Sequence, residues 1–287
     1  MLHVLPQVRA SLVVRCSRVS GVVEKLNPKK PSALSFKRDG QRGSQRGWTV
    51  PISEITLSEV KEDAVRFGLA TDVAFQLNAG KEASIFVAYH KERPIILKAF
   101  RLWQTSQAKK SKGFYAPGRM QVLAAKEFDL LLSCFKAGMH VPTPIGRVGY
   151  YLTQRFLGDG LEPAPQLRNV TLEDPETALD QILDDYLIMY RDVHYVHGDL
   201  SAYNILWWKN RPWIIDMPQA YHVDSWADMK NAENLLRRDI VNVLNYFKKY
   251  GISLDPDHIV KVFLSEYVPE NLRNYDEDIA ASFDGGT

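Results

Sequence analysis

Asp199, Asn204 and Asp216 stand out by residue type and spacing. Asp199 and Asn204 lie five residues apart in the run His197-Gly198-Asp199-Leu200-Ser201-Ala202-Tyr203-Asn204. Asp216 follows a short apolar hairpin made of Ile205–Trp208 and Trp213–Ile215. A polar loop held between a buried helix and a buried hairpin brings the three side chains together through local chain alone. One carboxylate can orient or deprotonate an acceptor, while an amide oxygen and a second carboxylate hold Mg2+ against nucleotide phosphates, which is what phosphoryl transfer requires. Singly, Asp and Asn are ordinary turn formers. Their joint spacing carries the reading.

Upstream, Lys98 sits inside Ile96-Leu97-Lys98-Ala99-Phe100. A charge in an apolar strand is costly unless it is paired, and Glu127, on a later helix, is the expected partner. The run Asn78-Ala79-Gly80-Lys81-Glu82-Ala83-Ser84 opens a strand with a single Gly. It is not the Gly-x-x-x-x-Gly-Lys-Ser/Thr loop that joins a strand to a helix, so it is expected to lie over phosphates from above.

The elements that must position these groups follow from periodicity. Val60, Ala64, Val65 and Phe67 give a short helix between Ser58 and Gly68. A hairpin follows, Ala83 to Tyr89 and Ile95 to Phe100 around Lys91-Glu92-Arg93-Pro94. The polar Thr105–Arg119 stretch reads as a mobile connection. A helix then runs from about Val122 to Ala137, and a strand from Gly149 to Phe156. Gly158–Pro165 is the junction between two lobes. Beyond it, Asp174 caps and Pro175 starts a helix whose buried face runs from Leu179 to Val193. Further helices are expected from about Ala232 to Tyr250 and from Pro256 to Tyr267. Glu173-Asp174 and Asp184-Asp185 read as solvated helix faces, His197 as a residue that orders its loop, and Met120, Met189 and Met217 as core fillers. Strands followed by helices predict an α+β protein with a bilobal, protein-kinase-like fold: a small β-sheet lobe with one main helix and a mainly helical large lobe.

The motifs resemble the RIO family of atypical serine/threonine protein kinases. The resemblance rests on Gly80-Lys81-Glu82-Ala83, Lys126-Glu127-Phe128, Ala164–Val170, His197–Asn204 and Ile214–Ala220, in that order, over about residues 53 to 268. The Gly-Lys-Glu-Ala loop is closer to the branch that has it than to the branch with an N-terminal winged helix. The resemblance implies ATP and Mg2+ (or Mn2+) between the lobes. Asp199 would be the proton acceptor, and Asn204 and Asp216 the metal ligands. ATP would be bound by Gly80, Lys81, Glu82, Ser84, Lys98, Glu127 and the main chain of Arg155 and Leu157. Some relatives form an acyl-phosphate, which would make Asp216 the acceptor and the chain mainly an ATPase. Three departures stand out. Asn78-Ala79 replaces Ser-Thr before the phosphate loop, Arg155 stands where an acidic residue is usual, and the connection is short, with Ser106 and Ser111 as the candidate autophosphorylation sites.

Two other classes share part of this pattern. A small-molecule phosphotransferase of the aminoglycoside or choline kinase type has the same His-Gly-Asp set but usually a larger helical lobe. A catalytically idle ATP-binding module would not need the complete Lys98, Asp199, Asn204 and Asp216 set.

The 287 residues carry 36 Lys+Arg and 34 Asp+Glu, a net charge of +2. Residues 1 to 50 hold ten cations against Glu24 and Asp39, so this segment is +8 and the rest −6. The reading is a basic arm, 1–52, expected to be disordered; a small lobe with hinge, 53–157; a large lobe, 158–268; and a tail, 269–287. The arm is a candidate tether to rRNA or the pre-ribosomal small subunit. Its first 20 residues also have a transit-peptide composition, though without a cleavage signal. Two distant cysteines, Cys16 and Cys134, exclude a disulfide scaffold and favour a reducing, cytoplasmic setting. No membrane partner is expected.

Overall fold

The computed structural model describes residues 56–79, 83–100, 118–223 and 226–269. The basic arm, Gly80-Lys81-Glu82, Ser106, Ser111 and the tail beyond residue 269 lie outside the described residues.

Helix α1, Leu57–Arg66, starts where Thr56 accepts a hydrogen bond from the Glu59 N–H and the Glu59 carboxylate accepts from the Thr56 N–H. This reciprocal cap satisfies two otherwise orphaned donors. The helix buries Val60 and Ala64 against a five-stranded antiparallel sheet. The strands are β1 (Asp72–Ala79), β2 (Ala83–His90), β3 (Arg93–Phe100), β4 (Pro144–Val148) and β5 (Tyr151–Arg155), in the order β1-β2-β3-β5-β4. Lys98 is therefore on the central strand. β1 and β4 are the two edges, and neither is expected from the sequence pattern. β1 buries only Val73 and has two register shifts, and β4 carries Pro144 and Gly146, so neither shows a clean period of two. The β2–β3 turn is the two-residue Lys91-Glu92, tighter than the four residues expected.

Helix α2, Gly118–Lys136, starts four residues earlier than the apolar periodicity indicates. It buries Leu130, Leu131 and Cys134 in the large-lobe core and Ala124 beneath the sheet, and so spans both lobes. Two short strands, β6 (Gly158–Asp159) and β7 (Glu162–Pro163), make a small hairpin in the junction.

In the large lobe, α3 is Pro175–Arg191, capped by the Asp174 carboxylate accepting from the Thr177 N–H at 3.0 Å. Its inner face, Leu179, Ile182, Leu183, Tyr186 and Tyr190, packs into one core. The same core takes Leu236, Ile240, Val243 and Phe247 from α4 (Trp226–Phe247) and Ile259, Val260 and Phe263 from α5 (Pro256–Glu266). A 3-10 turn, Lys248–Tyr250, ends at Gly251 in the left-handed conformation. The remaining strands pair as β9 (Ile205–Trp208) with β10 (Arg211–Ile214), and β8 (Tyr195–Val196) with β11 (Tyr221–His222).

Asp185 corrects the expectation of a solvated Asp184-Asp185 face, because it is only 2% exposed. Its Oδ1 accepts from the His140 N–H at 3.0 Å and its carboxylate meets His140 Nδ1 at 3.0 and 3.1 Å. His140 lies between α2 and β4, and its carbonyl accepts from the Ile214 N–H at 2.9 Å. The bland helix-face pattern hid a buried carboxylate that ties the small lobe's helix exit to the large lobe.

Candidate active site

A cleft of about 390 Å³ opens between sheet and helices. Lys98, Glu127, Asn204, Asp216 and the hinge from Gln154 to Leu157 all line it. Lys98 Nζ lies 2.6 Å from Glu127 Oε1 and 2.9 Å from Asp216 Oδ1. Both Lys98 and Glu127 are buried, whereas the Asp216 side chain is half exposed. Burial works against the Lys98 ammonium, but the Glu127 and Asp216 carboxylates outweigh it and hold its pKa above the ordinary lysine value. The cation is therefore permanent at neutral pH.

The loop from β8 to β9 brings Asn204 into the cleft wall, and Asp199, which does not line the cleft, lies against it. The Asn204 Nδ2 amide donates to the Asp199 carbonyl at 2.8 Å and to Asp199 Oδ2 at 3.2 Å, so the two residues fix one another across the turn. The Ile215 N–H donates to the Asn204 carbonyl at 2.9 Å, which sets Asp216 beside Asn204. Asp216 has a φ of 63°, a left-handed backbone that non-glycine residues adopt rarely and that concentrates at functional sites. Gly198 is required sterically: its φ is 77°, and a Cβ there would sit 2.5 Å from the Gln219 carbonyl oxygen.

Two buried groups hold this loop. His197 Nδ1 accepts from the Asp199 N–H at 3.3 Å, which leaves the proton on Nε2 to donate to the Ile215 carbonyl at 3.2 Å. Burial lowers the His197 pKa, so the ring is neutral and orders the loop. Asp239, on α4, is fully buried and was not anticipated. Its carboxylate accepts from the Gly198 N–H (2.7 Å), the Leu200 N–H (3.1 Å) and the Tyr186 hydroxyl (2.7 Å). Arg238 donates to the Gly198 carbonyl. Burial pushes the Asp239 pKa up to about 6, which still leaves a carboxylate at neutral pH. The sequence signal was an Asp on the apolar stripe between Leu236 and Ile240, where an acid needs a reason to be.

The hinge and phosphate-side residues are placed as follows. The Arg155 N–H donates to the Thr143 carbonyl, the Leu157 carbonyl accepts from the Ala164 N–H, and the Arg155 guanidinium lies 5.1 and 5.9 Å from the Trp208 and Trp213 ring centres. An Arg at this position thus docks the hinge on the large lobe by cation–π contact. Ser84 departs from its expected place. It pairs with Ala99 while Ile85 pairs with Lys98, so alternation turns it away from the cleft, and it is buried with the sheet's other face. Gly80, Lys81 and Glu82 are outside the described residues.

The fold is that of the bilobal protein kinases. A solved structure described as the Rio2 kinase–ADP/Mg2+–phosphoaspartate complex from Chaetomium thermophilum superposes with a TM-score of 0.60 at 21% identity, covering 73% of this chain and 66% of that one. A family model described as the RIO domain matches residues 84–259, more than half of the chain. The RIO-type serine/threonine-protein kinase Rio1 of Thermoplasma acidophilum is 38% identical over 138 residues, covering 48% of this chain and 70% of that protein. The protein of the same name from Haloferax volcanii is 30% identical over 196 residues, covering 64% and 66%. The serine/threonine-protein kinase RIO1 of Caenorhabditis elegans is 30% identical over 191 residues, covering 61% of this chain but 37% of its own length. The chain belongs to the RIO family of serine/threonine protein kinases. Among the described residues no helix is long and apolar enough to cross a membrane.

Replacing Asp239 with Asn leaves one acceptor for three donors. That oxygen can keep two of them, as Asp239 Oδ2 holds both the Gly198 N–H and the Tyr186 hydroxyl, so at least one buried donor loses its partner. The expected cost is about 1–3 kcal/mol in denaturant-unfolding stability, with activity lost at temperatures where the fold persists. Stability indistinguishable from the parent would refute the anchoring role.

His197 sets a pH dependence of known sign. Below the ordinary value of 6.5 the unfolded chain binds a proton that the buried ring refuses, so stability falls as pH falls. Asp239 acts oppositely, but only below its raised value of about 6. Between pH 7.5 and 6.0, His197 should cost up to about 1 kcal/mol. A smaller decline in the melting midpoint of His197→Asn than of the parent, over that window, is the expected result; parallel curves would contradict it.

Proposed function

We propose that the cleft binds ATP with Mg2+ and that the chain transfers the γ-phosphoryl group to a Ser or Thr hydroxyl of a protein. The observation that supports this best is the Lys98 ammonium held between Glu127 and Asp216 at the floor of the cleft, beside the Asp199–Asn204 pair. In this reading Lys98 contacts the phosphates while Glu127 fixes its position, and Gly80, Lys81 and Glu82 cover them. The main-chain groups of Arg155 and Leu157 meet the adenine base. Asp199 accepts the proton of the attacking hydroxyl as its oxygen bonds to phosphorus and the bond to ADP breaks.

The donor chemistry suits Mg2+. Asn204 commits its Nδ2 to Asp199 and keeps an amide oxygen, and Asp216 commits Oδ1 to Lys98 and keeps Oδ2. These are hard oxygens, and among the described residues there is no group of three or more His, Cys, Asp or Glu that could form an all-protein cage. Mg2+ characteristically uses one or two carboxylates plus phosphates. When bound, it would neutralise phosphate charge.

A second reading is supported by the half-exposed Asp216 side chain and by the phosphoaspartate of the Chaetomium Rio2 complex. In it the Asp216 carboxylate is itself the acceptor, and the chain acts mainly as an ATPase. The pathway proposed from the family resemblance is maturation of the small ribosomal subunit in the cytoplasm. The +8 segment of residues 1–50 would then be the contact to rRNA.

Incubation with γ-labelled ATP and Mg2+ tests the chemistry. Asp199→Asn should lower phosphoryl transfer to a Ser/Thr protein substrate at least 100-fold, and undiminished transfer would refute the assignment. Hydroxylamine then separates the two readings, since an acyl-phosphate at Asp216 loses its label and a phosphoserine keeps it. For the arm, removal of residues 1–50 should weaken RNA binding and flatten its dependence on salt concentration; an unchanged salt slope would eliminate it as the RNA contact.

A further inference from the structure

Strand alternation places the Gln154 side chain in the cleft. In the β3–β5 ladder Lys98 stands opposite Leu152 and Ile96 opposite Gln154, and residues paired in this way share a face. Lys98, Ile96 and Gln154 all line the cavity. The apolar side chains of Ile85, Ile96, Phe156, Leu206 and Ile215 line the same cavity. Gln154 is half-buried there, and among the described residues its carboxamide has no hydrogen-bond partner. Its neighbours on β5 differ in this respect: Thr153 donates to the Gly146 carbonyl, and Arg155 is docked on Trp208 and Trp213.

A primary amide offers one acceptor oxygen and two donor hydrogens. Such a group, partly desolvated in the cleft, gains most from a ligand that supplies both kinds of partner. The inference rests on the reading of the cleft as an ATP site. There the hinge main chain meets one edge of the base, which leaves the N6/N7 edge to be met from the strand. A glutamine amide matches that edge of adenine in bidentate fashion, its oxygen accepting from the N6 amino group and its nitrogen donating to N7. Guanine presents two acceptors there, O6 and N7, and would leave the Gln154 oxygen facing O6 without a proton between them. We propose that Gln154 reads the N6/N7 edge of the base and is a specificity-determining residue for adenine over guanine.

Dissociation constants of the full chain with Mg2+ for ATP, 7-deaza-ATP and GTP test this. 7-Deaza-ATP carries a C–H where adenine has N7 and keeps the N6 amino group. The parent protein should bind it about 5- to 10-fold more weakly than ATP, the loss of one hydrogen bond. In Gln154→Met the two nucleotides should bind alike, and rejection of GTP should weaken by at least the same factor. Gln154→Glu keeps the shape and accepts from N6 but cannot donate to N7 when ionised, so it too should abolish the 7-deaza penalty. Equal binding of ATP and 7-deaza-ATP by the parent overturns the proposal, as does a penalty that survives in both variants. Failure of the parent to bind any adenine nucleotide overturns the ATP-site reading and this proposal with it, a result distinct from tight but edge-blind binding.

Discussion

The buried Lys98 ammonium is the constraint on which the rest depends. A cation removed from water is tolerated only with opposite charge at hydrogen-bond distance, and here that charge comes from two remote places in the chain. Glu127 is delivered by α2, and Asp216 by the end of β10. The central strand, the one long small-lobe helix and the floor of the large lobe must therefore meet at Nζ. Removing either acid would leave a less compensated charge in a nearly dry setting. The arrangement keeps the Lys98 ammonium charged at neutral pH.

A second buried charge does the complementary task below the cleft. Asp239 forms no part of the cleft wall; it holds the main chain of Gly198 and Leu200, on either side of Asp199. Its three donors and its burial oppose one another, hydrogen bonds favouring the carboxylate and desolvation the acid, and desolvation wins by enough to bring the pKa to about 6. His197 works from the other side through a single tautomer. Asp199 itself stays exposed while its backbone is fixed from two directions. The Asp199 carboxylate can thus face solvent without the loop around it being loose.

Some of this was legible in the sequence, and the reason is local. The Asp199–Asn204 spacing lies within one turn, the Asp174-Pro175 start of α3 is a cap signal, and the apolar stripe of α4 is periodic. None of these needs a distant partner. What escaped was non-local. β1 and β4 are edge strands, half exposed and irregular, and they exist because β2 and β5 offer them backbone partners. Asp185 and Asp239 sit among helical positions where an acid looks ordinary, and only packing shows them to be 2% and 0% exposed. Ser84 was assigned by its neighbours in sequence, whereas one residue of strand register decides which face it takes.

The sequence by itself determined the class of this protein, because phosphoryl transfer demands particular side chains at short spacings and those spacings are written along the chain. It also determined the amphipathic helices that form the large lobe. Only the tertiary structure decided which acids are buried, which strand carries Lys98 to the centre of the sheet, and that Gln154 faces the cleft with its amide unspent. Burial and strand register arise from contacts between segments far apart in the chain, and no local pattern encodes them.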